Sequence, residues 1–433
     1  MYSANEHDID PIPNSLIARG SFGEISLAIN RANREILVVK TILNSLSSNR
    51  SFVSHRSNAN SCNSKNLLKQ EVRNEIKALK ELNANGGHEN IVPLISVRSS
   101  ELDDMSSKGE NGGDALTSFF ASSFDNPSVT MIFPYCPCDL ADAMYCFKRK
   151  EDFDVISLPV VKAIARDVLS GLAFCHDQGF VHGDIKPGNV LLNDCDGACR
   201  AQLCDFGLSM PINSHDMVAN GSTGSNRAEP KGLCTLNYRS PEALYGSNHA
   251  SPKIDIWGAS LVIVEMLYHK FDPFFDGRNV LDQLGKIFEV LGTPSKDTWP
   301  SISQLPDYHK VSFENHVATP ISDRIPILLE DSDLDAILLS MLCLDPSQRP
   351  TASECLLHPC FTNKASIADS NKVLQTLQLS HLRQPLLFFS DGKALEWAKK
   401  ISSCRRTLTN RFCPKYDETK KNLDFGIFST LSV

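Results

Sequence analysis

Short apolar runs broken by Gly and Asn dominate the first third of the chain. The runs IARG, EISLAI and EILVVKTI predict three antiparallel strands, and IVPLISV and SVTMIF predict two more further along. One helical pattern interrupts them, in LLKQEVRNEIKALKELN, where Leu68, Val72, Ile76 and Leu79 fall on one face. The first third therefore predicts a small strand-rich unit with one amphipathic helix.

The pattern changes after Pro159. Helical spacing recurs in VVKAIARDVLSGLAFCHDQG, IDIWGASLVIVEMLYH, VLDQLGKIFEVLG and LDAILLSMLCLD. A strand-rich unit followed by a larger helical one indicates an α+β fold. Two stretches rich in Ser, Asn, Gly and Asp, about 44–66 and 98–127, predict disordered insertions.

Net charge, the lack of long apolar runs and the cysteine pattern limit the binding partners and cellular locations that we expect. A net charge of −8 argues against nucleic acid as the main partner, because binding to phosphates needs a basic surface. The polar N-terminus and the absence of a long apolar run predict no signal peptide and no membrane partner. The 14 cysteines show no regular spacing, so we expect free thiols and a location in the cytoplasm, the nucleus or both.

Two positions in the strand-rich unit are candidates for handling phosphate. The turn ARGSFG, in which Ala18 stands before Gly20 and Gly23, allows a close approach of backbone N–H groups to phosphate oxygens. Alone it is a weak signal, and it is more typical of a surface hairpin turn. Lys40, one strand later, is a candidate cation for phosphate groups, and Glu75 on the amphipathic helix is its candidate partner.

Two further motifs supply candidate catalytic groups. VHGDIKPGNVLL resembles the H-R-D-L-x-x-x-N loop of protein kinases. The resemblance implies that Asp184 orients a substrate hydroxyl, Lys186 neutralises the transferred phosphate and Asn189 binds Mg²⁺. In DFG, Asp205 is a second candidate ligand for Mg²⁺. Together these groups can carry phosphoryl transfer, because positioning and charge neutralisation supply most of that catalysis.

These motifs resemble those of eukaryotic protein kinases over residues 12–361. The resemblance implies a bilobal kinase fold, preceded by an N-terminal extension at 1–11 and followed by a tail at 362–433 to which we assign no structure. Lys186 in DIKPGN is similar to the serine/threonine class. The resemblance also implies that Glu242 pairs with Arg349 and that Asp255 supports the catalytic loop.

Within that family, TLNYRSPE and the segment from Phe275 to Tyr308 resemble cyclin-dependent kinases, in the CMGC group. The resemblance places Thr235 in the catalytic set. MIFPYCPCDL resembles the hinge between the lobes. The implied ATP-binding residues are Ile17, Ala18, Gly20, Gly23, Ile25, Val38, Lys40, Phe133, Pro134, Cys136, Asp139 and Leu191.

Three arginines that bind the activation-loop phosphate in cyclin-dependent kinases correspond here to Asn74, Gly183 and Met210. None is basic, whereas a doubly charged phosphate needs a cationic cluster. We therefore expect activity that does not depend on activation-loop phosphorylation. The helix also lacks the PSTAIRE sequence that cyclins contact, so the sequence gives no support for cyclin binding.

These features resemble most a divergent, monomeric CDK-activating kinase of fungal type, whose protein substrate is another kinase. Two alternatives remain open. Arg239 and the pair Leu233 and Cys234 stand where the group forms a pocket for proline, which favours a proline-directed kinase. Ala18 and Gly183 depart from the motifs, which favours a pseudokinase scaffold.

Overall fold

A computed structural model of the chain gives the fold. It describes residues 9–12, 15–16, 18–19, 23–33, 35–43, 61–99, 127–136, 138–148, 156–195, 198–212, 235–247, 249–268, 273–363, 367–369 and 373.

The small lobe contains one antiparallel sheet, with the strand order β1-β3-β4-β6-β5 and with β2 paired to β3. Its strands are β1 (Ile9–Pro11), β2 (Ala18–Arg19), β3 (Gly23–Asn30), β4 (Ile36–Leu43), β5 (Ser96–Ser99) and β6 (Pro127–Pro134). The three strands predicted before residue 44 are confirmed. The strand predicted in IVPLISV begins only at Ser96, because Ile91 instead forms an isolated bridge to Leu203 of the other lobe.

Alternation along β4 positions the first functional side chain. Ile36, Val38 and Ile42 face the main core, whereas Leu37 and Val39 face a separate cluster on the other side of the sheet. Because successive side chains in a strand point to opposite faces, Lys40 shares the face of the first set.

Helix α1 (Ser61–Asn83) packs against this sheet through Leu79 and Leu82. It begins at Ser61 rather than at Leu67, so the insertion predicted at 44–66 overlaps its first six residues. Residues 44–60 and 100–126 lie outside the described part of the chain.

The large lobe is mainly helical. Its helices are α2 (Leu140–Lys148), α3 (Leu158–Asp177), α4 (Pro241–Leu244), α5 (Pro252–Leu267), α6 (Val280–Leu291), α7 (Ser332–Met341), α8 (Ala352–Leu356) and α9 (Pro359–Thr362). Helix α5 is buried on every side from Asp255 to Leu267, which is typical of a central helix. The four predicted helices correspond to α3, α5, α6 and α7. None of the described helices is long and apolar enough to span a bilayer.

Short strands in the large lobe frame the catalytic motifs. They are β7 (Cys138–Asp139), β8 (Phe180–Val181), β9 (Val190–Cys195), β10 (Ala198–Leu203) and β11 (Met210–Pro211). One sheet has the order β10-β9-β7, and β11 pairs with β8. The segment 182–189 therefore lies between β8 and β9, and DFG lies between β10 and β11. The predicted two-lobed α+β fold is confirmed.

Candidate active site

Lys40, Glu75 and Asp205 converge between the lobes. Lys40 Nζ lies 2.7 Å from Glu75 Oε1 and 3.3 Å from Asp205 Oδ1, although Asp205 is 165 residues further along the chain. Glu75 is 3% exposed, so the helix must dock on the sheet for this contact to exist. The cluster joins β4, α1 and the segment after β10 in one polar network.

Burial and charge oppose each other in this cluster. Burial alone would lower the pKa of Lys40, but the carboxylates of Asp205 and Glu75 raise the pKa above its ordinary value. Burial raises the pKa of Glu75, an effect that the Lys40 ammonium partly offsets. Lys40 therefore remains a fixed cation, as charge neutralisation on a phosphate requires.

The catalytic loop is held from below by Asp255 of α5. Asp255 Oδ2 accepts from the His182 amide at 2.8 Å and lies 2.9 Å from His176 Nε2, while Oδ1 accepts from the Gly183 amide at 2.8 Å. The support implied for Asp255 by the resemblance is present. His176 was not singled out from the sequence, since a lone histidine at the end of a helix carries no distinct signal.

Gly183 has a left-handed backbone, with φ of 82°. A Cβ added at this position would lie 2.7 Å from the carbonyl oxygen of Leu208, which follows DFG. Glycine therefore permits a close backbone contact between the catalytic loop and the DFG segment.

Asp184, Lys186, Asn189 and Thr235 form a second network. Lys186 Nζ lies 2.9 Å from Asp184 Oδ2 and donates to Thr235 Oγ1 at 2.8 Å. Asp184 Oδ1 accepts from the Thr235 amide at 3.0 Å. Asn189 Nδ2 donates to Asp184 O at 2.8 Å and to Asp184 Oδ2 at 3.1 Å.

The charge of Asp184 is set by these neighbours. Burial alone would raise its pKa, but Lys186 and the Thr235 amide hold the pKa below its ordinary value. The carboxylate is thus ionised at neutral pH and can accept a hydrogen bond from an incoming hydroxyl.

Asn189 and Asp205 present oxygen atoms that could hold a metal ion. Asn189 is fully buried, and its Oδ1 has no hydrogen-bond partner among the described residues. Asp205 is the one described non-glycine residue with positive φ, at 61°, and its carboxylate lies beside Lys40. An amide oxygen and a carboxylate are hard ligands of the type that Mg²⁺ prefers, so the donor set fits that ion.

The apolar residues predicted to contact adenine come from both lobes and are buried. Val38 pairs with Phe133 across β4 and β6, and both are buried, as are Ile25 and Leu191. Pro134 ends β6 opposite Leu37, where a missing amide costs no strand pairing.

The hinge residues have additional structural contacts. The Cys136 thiol donates to Leu192 O at 3.2 Å. Asp139 Oδ1 accepts from the Asp142 amide at 2.8 Å and so caps α2. Cys204, immediately before Asp205, is 4% exposed, and burial raises the pKa of its thiol well above the ordinary value, which favours the form of low reactivity.

The glycine-rich turn is described only in part. Ala18 pairs with Ile25, and Gly23 pairs with Ile42, so both flank the turn between β2 and β3. Ile17 and Gly20 lie outside the described residues. So do Leu233 and Cys234 of the predicted proline pocket.

The Glu242–Arg349 pair implied by the resemblance is present. Arg349 Nη1 and Nη2 each lie 2.7 Å from one oxygen of Glu242, and the Arg349 guanidinium lies 5.1 Å from the ring centroid of Trp257. The side chain of Arg349 is fully buried. This pair ties the segment after Thr235 to the end of the large lobe.

Comparison with known proteins identifies a family, and two of the matching relatives are cyclin-dependent kinases. The model of the protein kinase domain family matches residues 13–361. The chain is 28% identical to cyclin-dependent kinase 7 of Dictyostelium discoideum over 350 residues, which cover 81% of this chain and 79% of that relative. It is 32% identical to cyclin-dependent kinase 20 of Homo sapiens over 231 residues, which cover 53% of this chain and 61% of that relative.

Proposed function

This chain belongs to the protein kinase family, and from that membership we propose that it is a CDK-activating kinase whose substrate is the activation-loop threonine of a cyclin-dependent kinase. Its activity as an ATP-dependent serine/threonine protein kinase is the premise, and its similarity to two cyclin-dependent kinases supports the branch. We further propose that it needs no phosphate on its own activation loop.

One observation carries this proposal: the catalytic groups are aligned although the phosphate-binding positions have no cation. Lys40 contacts Glu75 at 2.7 Å, while Asn74, Gly183 and Met210 replace the three arginines. A kinase that needs no prior phosphorylation is suited to act first in a cascade.

Backbone contacts provide an alternative to the phosphate for aligning the DFG segment. Met210 pairs with Val181 and Pro211 with Phe180 in β11 and β8, and the Ile212 amide donates to Gly179 O at 2.8 Å. Because these bonds involve main-chain atoms, they do not depend on a charge at any side chain. They support alignment of Asp205 without a phosphorylated residue.

We propose that Mg²⁺ is the metal that accompanies ATP, with Asn189 Oδ1 and the Asp205 carboxylate as protein ligands. Mg²⁺ supplies charge neutralisation on the phosphates when it is bound. Lys40 and Lys186 contribute positive charge toward the transferred group, and Asp184 orients the acceptor hydroxyl.

The test is phosphorylation of an unphosphorylated cyclin-dependent kinase without added cyclin. The recombinant chain is first treated with a phosphatase, which is then removed, and incorporation of phosphate from Mg-ATP is measured. We expect retained turnover, and loss of about 10²-fold or more in Asp184→Asn, because the group that orients the hydroxyl is changed. Loss of most activity after phosphatase treatment would refute independence from phosphorylation. If no phosphate incorporation depends on Asp184, so that the parent chain incorporates no more than Asp184→Asn, the pseudokinase scaffold is supported.

A proline-directed kinase is the second candidate. Arg239 lines a small cavity together with Gly183 and Tyr238, beside the segment that follows Thr235. A Ser-Pro peptide assayed in parallel separates the two. If the peptide is phosphorylated and the intact cyclin-dependent kinase is not, the proline-directed function is correct.

A further inference from the structure

The segment 235–240 begins at the catalytic aspartate. The Thr235 amide and hydroxyl both contact Asp184 Oδ1, at 3.0 and 3.3 Å. A single helical turn follows, closed by hydrogen bonds from Tyr238 N to Thr235 O at 2.9 Å and from Arg239 N to Leu236 O at 3.2 Å. A protein acceptor that brings its hydroxyl to Asp184 must therefore approach alongside this turn.

Asn237, in the middle of the turn, makes two hydrogen bonds to the region that leads into α6. Its Nδ2 donates to Phe275 O at 2.9 Å, and its carbonyl oxygen accepts from Gln283 Nε2 at 3.1 Å. In the VTLWYRAPE motif of cyclin-dependent kinases, which TLNYRSPE resembles, this position is a tryptophan. An asparagine here replaces apolar packing with directed hydrogen bonds.

Gln283 of α6 is completely buried, and both ends of its amide are used. Its Oε1 accepts from the Gly277 amide at 2.8 Å, while its Nε2 binds Asn237 O. A Cβ added at Gly277 would lie 2.4 Å from the Gln283 backbone, so only glycine allows this approach. A buried amide with all its contacts satisfied fixes its neighbours with little freedom.

The loop that leads into α6 and contains Phe275 is tightly packed. Phe275 is 1% exposed and stacks on Trp257 with an interplanar angle of 14°. On the other side of the turn, Tyr238 Oη donates to Glu265 Oε2 of α5 at 2.8 Å. The turn is thus held between α5 and α6.

We propose that Asn237 and Gln283 are positioning residues for the protein acceptor: their hydrogen bonds hold the segment 235–240 at a fixed distance from Asp184. Among the described residues, the hydrogen bonds of these two side chains go to Phe275, Gly277 and the Asn237 carbonyl, and not to Lys40, Asp205 or the hinge. We therefore expect nucleotide binding not to depend on them. The proposal rests on protein kinase activity and not on the identity of the physiological substrate.

The test compares transfer of the phosphoryl group of ATP to a protein acceptor with its transfer to water, which is ATP hydrolysis. Asn237→Leu keeps a branched side chain of similar size but removes the donor to Phe275 O. We expect kcat/KM for mixed histones, a general acceptor, to fall roughly five- to tenfold, since one or two hydrogen bonds and the placement of the acceptor are lost. KM for ATP and the rate of ATP hydrolysis without acceptor are expected to stay within about twofold, because neither uses the acceptor segment.

Asn193→Leu is the matched control. Asn193 Nδ2 donates to Gln202 Oε1 at 3.2 Å in the β9–β10 hairpin, so the same substitution removes one hydrogen bond away from the segment. It is expected to leave all three kinetic values unchanged. If Asn237→Leu fails to fold, Gln283→Met removes the donor to Asn237 O while leaving Asn237 in place. Equal loss of ATP hydrolysis and protein transfer, or an unchanged kcat/KM for histones, would overturn the proposal.

Discussion

Asp167 lies on the part of α3 that packs against β10, and its Oδ2 accepts from the Ala201 amide at 3.0 Å. Burial raises the pKa of Asp167 to about 6, although the Ala201 amide, Arg166 and Arg200 act in the opposite direction and Glu89 adds to the rise. Such a carboxyl group holds its proton longer in the folded state than in the unfolded state.

The consequence for stability has a definite sign. As pH rises from about 4 to about 6, the unfolded chain loses the Asp167 proton first, so the contribution of this group to stability is present at low pH and lost by neutral pH. We expect Asp167→Asn, whose Oδ1 can still accept from Ala201, to be more stable than the parent by about 1–3 kcal/mol at pH 7.5 and equal to it below pH 4.

Urea unfolding between pH 4 and pH 8 measures this difference. Asp177→Asn, an exposed change on the same helix, is the control and should follow the parent at every pH. Parallel curves for Asp167→Asn and the parent would show that the Asp167 carboxyl is not perturbed as described.

At the scale of elements, the periodic spacing of apolar residues predicted most of the longer helices and strands. The strands before residue 44 and helices α3 and α6 follow it, because apolar residues at regular spacing specify a face. Helix α5 was also predicted, although it is buried on every side and has no single apolar face. The hairpin β9–β10 was missed: its buried inner positions in the second strand include Cys199 and Ala201, which are small and give a weak alternation. Helix α2 was not predicted, because its cap, Asp139, was assigned only to the ATP-binding residues.

Replacing glycine by alanine is expected to have opposite effects on the free energy of unfolding at two positions. Gly183→Ala places a Cβ 2.7 Å from Leu208 O at a φ of 82°, so we expect a loss of about 1–2 kcal/mol in the free energy of unfolding. Gly285→Ala, in α6 with nothing within 4 Å of the added Cβ, is expected to gain about 0.5–1 kcal/mol, because alanine favours the helix. Chemical denaturation of both variants checks the pair. A stable Gly183→Ala would contradict the close contact between the catalytic loop and the DFG segment.

At the scale of the whole molecule, the site depends on contacts between distant parts of the chain. The sequence motifs, through their family resemblance, were sufficient to nominate Lys40, Asp184 and Asp205. Spacing alone could not place Lys40 beside Asp205, since that distance depends on how the lobes meet. The link from Asn237 to Gln283 could not be predicted either, because nothing in the two segments indicates a shared hydrogen bond.

The Glu242–Arg349 pair supports this arrangement over 107 residues of chain. Arg349 also donates to the carbonyls of Cys343 and Leu344, so Arg349→Ala leaves a buried carboxylate and several acceptors without partners. We expect a loss of about 3–5 kcal/mol in the free energy of unfolding, measured by urea denaturation.

The exposed pair of Arg278 and Asp282 is the control for that prediction. The side chain of Arg278 is 90% exposed, so Arg278→Ala should cost less than about 1 kcal/mol. A comparable loss of unfolding free energy in the two variants would mean that the burial of Arg349 does not increase the cost of removing its side chain.

The hydrogen bonds that Asp255 accepts also make the catalytic loop a site for measuring hydrogen exchange. Because its carboxylate binds the amides of His182 and Gly183 deep in the large lobe, those two protons can exchange with deuterated solvent only when α5 separates from the loop. Deuterium uptake by a short proteolytic fragment spanning 180–184 would then report how often the molecule opens at this point. Mass spectrometry can measure this uptake even in a variant that transfers no phosphate.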